Sequence, residues 1–206
     1  VLVLNWFVDT FDMNSGVPIT LAHIQSGSAD YWLGFSLIVA ALVHNVGYRY
    51  FVYKSDLLKE QKKQKLIDVD KKLYEEFIVL LPSNGTAIIL LKEHDFGNSH
   101  HRSGIRDLDI FVNTWNNVQK QFLDSDIEEI RNQFLTKTRS FVYELALNSY
   151  DIGEHDYYSC IPDVYRGAYD YPQHVDDKIK ELNDSAKECF ELYRQLIWSA
   201  RNNLVV

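Results

Sequence analysis

The segment Lys92-Glu93-His94-Asp95-Phe96-Gly97-Asn98-Ser99-His100-His101-Arg102 gathers the residue types that could do chemistry: three histidines and two acids within nine residues. Neutral imidazole and carboxylate are the usual nitrogen and oxygen ligands of divalent metals, which makes His94, His100 and His101 the candidate ligands. Their spacing matches no zinc motif, and Gly97-Asn98 predicts a loop, not a helix carrying His94 and His101 on one face. The expectation is a polar loop with hydrogen-bonded histidines; a metal-dependent hydrolase or nuclease using His94, Asp95, His100 and His101 is the enzymatic alternative. Asp95-Phe96-Gly97 copies the kinase magnesium tripeptide, but no glycine-rich loop, Val-Ala-Ile-Lys or His-Arg-Asp accompanies it. Lys92, Arg102 and Arg106 flank the histidines, and Ser103-Gly104 opens a helix whose amides could receive an anion. These three cations are the candidate phosphate site, for a nucleotide, a nucleic acid or a lipid headgroup.

A second unusual connection, 150–172, holds six tyrosines interleaved with acids and punctuated by Gly153, Pro162, Gly167 and Pro172. Tyrosine offers a rigid apolar body with a polar tip, so Tyr157, Tyr158, Tyr165, Tyr169 and Tyr171 are the candidate protein-binding residues. The alternative is that they cap the open end of a helical bundle. Glu154-His155-Asp156 repeats the Glu93-His94-Asp95 pattern, but no nucleophile stands beside either. No Gly-x-Ser-x-Gly, Walker loop, dinucleotide fingerprint or paired-cysteine site is present, so the chain reads as a non-enzyme without a cofactor.

The elements that position these loops read as helices. Leu58, Leu66, Val69, Leu73, Phe77 and Leu80 form an apolar stripe on a helix from about 55 to 81 with coiled-coil character, stopped by Pro82-Ser83-Asn84-Gly85. Ala87–Leu91 is an apolar run that fits a buried strand or a helical turn. Further helices are predicted over Ile105–Lys120, over 124–148 with Asp124 or Ser125 as cap, and over 173–203. The simplest way to bury four amphipathic helices is an antiparallel bundle, and about 150 residues suffice for a real core.

Upstream the character changes. Val1 to Tyr48 contains no Lys or Arg and three acids, so all 21 basic residues and all but three of the 29 acidic ones lie beyond it. Tyr31 to Tyr48 is free of charge, and apart from Arg49 the apolar run continues to Tyr53. A helix over 31–53 would be about 34 Å long, enough to cross a hydrocarbon core of about 30 Å. Tyr31 and Trp32 at one end and Tyr48, Tyr50 and Tyr53 at the other form aromatic belts. Arg49, Lys54, Lys59, Lys62, Lys63 and Lys65 make a basic exit suited to an anionic membrane surface, which puts the residues after 53 in the cytoplasm. Val1–Val8 fits the tail of a first span and 9–30 an outer loop, making 1–53 a membrane hairpin with a truncated first span and 54–206 a cytosolic helical domain. Ser36-x-x-x-Ala40 offers a small-residue face through which spans could pack as a homo-oligomer.

The averages conceal this division. With 206 residues, 46% hydrophobic and 24% charged, the chain is neither disordered nor fibrous, and a net charge of −8 disfavours nucleic-acid binding except through a partner or a local patch. Cys160 and Cys189 are too few for a disulfide framework.

Leu80-Leu81-Pro82-Ser83-Asn84-Gly85, Leu91-Lys92-Glu93-His94-Asp95-Phe96-Gly97 and Phe122-Leu123-Asp124 resemble a group of bacterial membrane-anchored proteins with a cytoplasmic helical domain, over about a quarter of the chain. The layout of a two-span hairpin plus a small cytosolic domain is similar to membrane effectors of bacterial anti-phage systems, retron-associated ones among them. The resemblance implies a bacterial inner-membrane protein that senses or binds a protein partner and acts on the lipid bilayer, or a non-catalytic membrane scaffold; it carries no catalytic residues.

Overall fold

A computed structural model describes residues 28–153, 156–168 and 170–204. The expected first-span tail Val1–Val8, most of the expected outer loop 9–30, and Tyr169 lie outside these residues. The protein is mainly α, with helices α1 (Ser28–Leu80), α2 (Thr86–Glu93), α3 (Ser103–Thr114), α4 (Ser125–Leu147) and α5 (Gln173–Leu204). Three short strands accompany them: β1 (His100–His101), β2 (Tyr150–Asp151) and β3 (Tyr157–Ser159). The chain divides into two compact units, Val1–Leu58 and Lys59–Val206.

In the first unit, the described part of α1 carries its apolar side chains outward: Leu37, Leu42, Val46 and Phe51 are all exposed, Leu42 by 60%. Among the described residues one helix, α1, is long and apolar enough to cross a membrane. No proline interrupts it between Pro18 and Pro82, which lets one helix run where the sequence suggested a span followed by a separate helix.

In the second unit, one hydrophobic core joins residues from all five helices. Phe77 of α1 stands at its centre, edge-on to Phe111 and Trp115 of the α3 end at 5.8 and 5.3 Å and to Phe134 of α4 at 6.2 Å. Such ring pairs add about 0.5–1.5 kcal/mol each to their area burial. The expected stripe on α1 enters this core from Leu73 onward, whereas Leu58, Leu66 and Val69 stay exposed. Pro82 ends the segment, and a Cβ on Gly85 would sit 2.9 Å from the Pro82 carbonyl oxygen, so the turn into α2 needs glycine there. The apolar run Ala87–Leu91 is helical, burying Ala87, Ile88, Leu90 and Leu91.

The helix α3 is shorter than the sequence suggested, ending at Thr114, not Lys120. Asn117 accepts from the Gln119 amide at 3.0 Å and starts a separate 3₁₀ turn, Val118–Lys120. Asparagine side chains compete with helical hydrogen bonds in this way. Asp124 caps α4 as expected, accepting from the Asp126 and Ile127 amides. Two buried charges lock this corner. Asp70 of α1, 2% exposed, accepts from the Leu123 and Asp124 amides at 2.8 Å each. Arg131, also buried, pairs with Glu128 and donates to the Trp115 carbonyl at 3.0 Å.

Candidate functional site

The two unusual connections pair with each other. Their strands form an antiparallel sheet in the order β1-β3-β2, with His100 opposite Tyr158, His101 opposite Tyr157, and Asp151 opposite Tyr158 on the other edge. The Arg102 amide extends the seam by donating to the Asp156 carbonyl at 2.9 Å. His94 lies in the expected loop, which runs to Ser99, but His100 and His101 are strand residues, for a reason that 55 intervening residues hide from local pattern. Gly153, at φ +76, lies in the β2–β3 connection, where its positive φ is cheap for glycine alone.

The pairing buries one histidine and leaves the other outside. The His100 ring is 2% exposed, stacked on Tyr158 at 6.3 Å and edge-on to Phe96 and His94 at 5.5 and 5.8 Å. Among the described residues, neither of its ring nitrogens nor Nε2 of His94 has a hydrogen-bond partner. Burial, reinforced by the neighbouring His94, pushes the His100 imidazole down to about 4, so it is neutral at physiological pH. Burial also lowers His94, partly offset by a backbone hydrogen bond at Asn98 and by the Asp95 charge. His101 is exposed; its Nδ1 accepts from the Ser103 amide at 3.1 Å and lies 2.8 Å from the Ser103 hydroxyl, so the ring caps the start of α3.

Asp95 is committed elsewhere. It accepts from the Asn183 side chain and the Gly97 amide, both at 2.9 Å, and these bonds hold its carboxyl below the usual range. Asn183 also accepts from the Phe96 amide, tying the histidine segment to α5. The three histidines line a cavity of about 340 Å³ with Glu93, Ser99 and Ser103. Among the described residues no three His, Cys, Asp or Glu side chains converge to hold a metal. What the arrangement offers chemically is a neutral, desolvated imidazole pair within an aromatic cluster.

The candidate phosphate cations are not brought together. Lys92, at the end of α2, lines a separate cleft of about 830 Å³ with Arg194 and Arg201 of α5, which Arg102 and Arg106 do not line. Arg102 and Arg106 are exposed one turn apart at the start of α3. The sequence did carry a signal for the residues it missed: Arg194, Trp198 and Arg201 fall at i, i+4 and i+7, one face of a helix.

The tyrosines also divide. Tyr158 is half-buried on His100, Tyr165 is half-buried with its ring 6.1 Å from His174, and Tyr171 is half-buried, while Tyr157 and Tyr150 face outward. The membrane-surface cations Arg49, Lys54, Lys59, Lys62, Lys63 and Lys65 are all exposed on α1. Cys160 and Cys189 are buried, and desolvation pushes their thiols up to about 11 and about 12.

Compared with family models, curated proteins and solved structures, the chain matches none.

Proposed function

We propose that this is a bacterial inner-membrane protein, anchored through 31–53, whose helical domain lies in the cytoplasm and binds or senses a partner, in the manner of an anti-phage defence effector acting on the membrane. The observation that carries the reading is the run of apolar side chains on α1, from Tyr31 to Tyr53, exposed along its length. Soluble monomers seldom leave contiguous apolar patches beyond a few hundred Å² in water, whereas a bilayer would cover this one. Exposed cations from Arg49 to Lys65 follow it, as an anionic cytoplasmic leaflet favours. Tyr157 and Tyr150, in the small sheet, are outward aromatic residues available to a protein partner.

The test is a single charge at the middle of the apolar run. Leu42→Arg places a guanidinium at mid-bilayer depth, which costs about 2.5–3.5 kcal/mol of insertion free energy. Expressed full-length chain resists alkaline extraction from membranes, and the variant shifts to the soluble or aggregated fraction. Wild-type chain that washes off, or a variant that partitions identically, refutes the anchor. Because Leu42 is 60% exposed, the bundle's own melting temperature serves as the control for folding.

A further inference from the structure

The cleft between the end of α2 and the last turns of α5 has a positive lining on a chain of net charge −8. Lys92, Arg194 and Arg201 line it together with Trp198, and among the described residues no Asp or Glu does. Its volume of about 830 Å³ falls in the range of small-molecule sites, about 300–1,000 Å³, and is far larger than a bare phosphate needs. Its cations are available. Among the described residues, Lys92 and Arg194 pair with exposed carboxylates of their own helices alone, Glu93 at 2.8 Å and Glu191 at 3.1 Å, and such pairs exchange readily for a stronger anion. Arg201 has no ion-pair or hydrogen-bond partner among the described residues. Trp198 is 71% exposed, a large apolar ring held at the surface beside the three charges. The hydroxyls at the cleft are already engaged: Tyr193 donates to the Leu81 carbonyl at 2.9 Å, and the Ser83 hydroxyl lies 3.1 Å from the Tyr193 oxygen.

A flat ring beside several cations is the complement of a ligand that joins a π-face to a compact anion. The net charge of −8 opposes a long polyanion, which favours a single nucleotide over a nucleic-acid strand. We propose that this cleft binds a nucleotide with two or more negative charges, its base on Trp198 and its phosphates among Lys92, Arg194 and Arg201. The site supplies the domain with a small-molecule signal and stands independently of the membrane anchor: a chain that washed off membranes would still bind.

The test uses the full chain in a non-ionic detergent, titrated calorimetrically with ADP and GDP, and in parallel with sodium pyrophosphate and phosphatidylglycerol vesicles. Saturable binding of ADP or GDP is expected, weakened about 10-fold or more by Arg201→Gln or Lys92→Gln and about 5- to 100-fold by Trp198→Ala. All three side chains are exposed, so the melting temperature of each variant stays at the wild-type value and separates lost binding from lost folding. The proposal is overturned by any of three results: no heat from either nucleotide at millimolar concentration, pyrophosphate binding as tightly as ADP, or binding that survives Arg201→Gln combined with Trp198→Ala. A response to vesicles alone that the same substitutions abolish would make the cleft a lipid-headgroup site and likewise overturn it.

Discussion

Replacing His100 by phenylalanine tests the aromatic cluster where it is most exposed to error. Native His100 is 2% exposed with neither ring nitrogen partnered among the described residues, and its neighbours His94, Phe96 and Tyr158 are rings that would accept another. An unsatisfied buried polar group costs about 1–3 kcal/mol, so His100→Phe should stabilise the fold at neutral pH by an amount in or just below that range. The pH dependence gives a sharper figure. The imidazole titrates at about 4 in the fold against 6.5 when unperturbed. Below 6.5 the unfolded chain therefore takes up a proton that the folded chain refuses, and stability falls from neutral pH down to about 4, where the loss levels off. Between pH 7.5 and pH 5 the linkage amounts to about 2 kcal/mol, or a melting-temperature drop of about 4–8 °C for a domain of this size. Asp95, held below the usual carboxylate range by its hydrogen bonds to Asn183 and Gly97, titrates below this window. Circular-dichroism melts at the two pH values should show most of the wild-type drop vanish in His100→Phe, with a residue left to His94. A variant that keeps the full drop, or a wild type whose melting point does not change, would sink the claim that this ring is buried and neutral.

Two other expectations bear on the frame around the site. Asp70→Ala should cost about 3–5 kcal/mol, read from the urea midpoint, because it strands the Leu123 and Asp124 amides. Asp70→Asn should fall between the two, since an amide oxygen replaces only one acceptor and its NH₂ faces the other donor; equal stability of all three chains would show that the carboxylate holds nothing. The native thiols should ignore maleimide at pH 7, where fewer than about one in a thousand is ionised, while a cysteine introduced at exposed Val79 labels readily. Rapid labelling of the wild-type chain before urea is added would contradict the burial of Cys160 and Cys189.

Where the helices lie was legible because burial follows a 3.6-residue period and because Asp124, Pro82 and the Pro172 boundary are local signals. The spacing of Ile127, Ile130, Phe134, Phe141 and Leu145 puts them on one face of α4, and all are buried there except Ile130, which is partly so. In α5 the buried face is made by Val175, Leu182, Ala186, Cys189, Tyr193, Leu196 and Ala200, with Phe190 partly buried beside Cys189. The end of α3 was misjudged because Asn117 competes for a backbone amide, a choice that hydrophobic period does not record. The site was legible as two suspicious segments but not as one object, since strands two or three residues long carry no alternation to read. Chain proximity groups Lys92 with Arg102 and Arg106, whereas the cleft that Lys92 lines is completed by Arg194 and Arg201 of α5, a neighbourhood that local sequence does not record.

The small sheet also limits how a partner can take hold of the tyrosine segment. Its middle strand, β3, is hydrogen-bonded on both sides, and the strands that form its outer edges are two residues each. Recognition by adding a strand needs a longer free row of amides and carbonyls than these edges offer. A partner that grips this end of the domain must therefore read side chains, Tyr157 and Tyr150 foremost. Substitutions there would change which partner is chosen without loosening the backbone seam beneath.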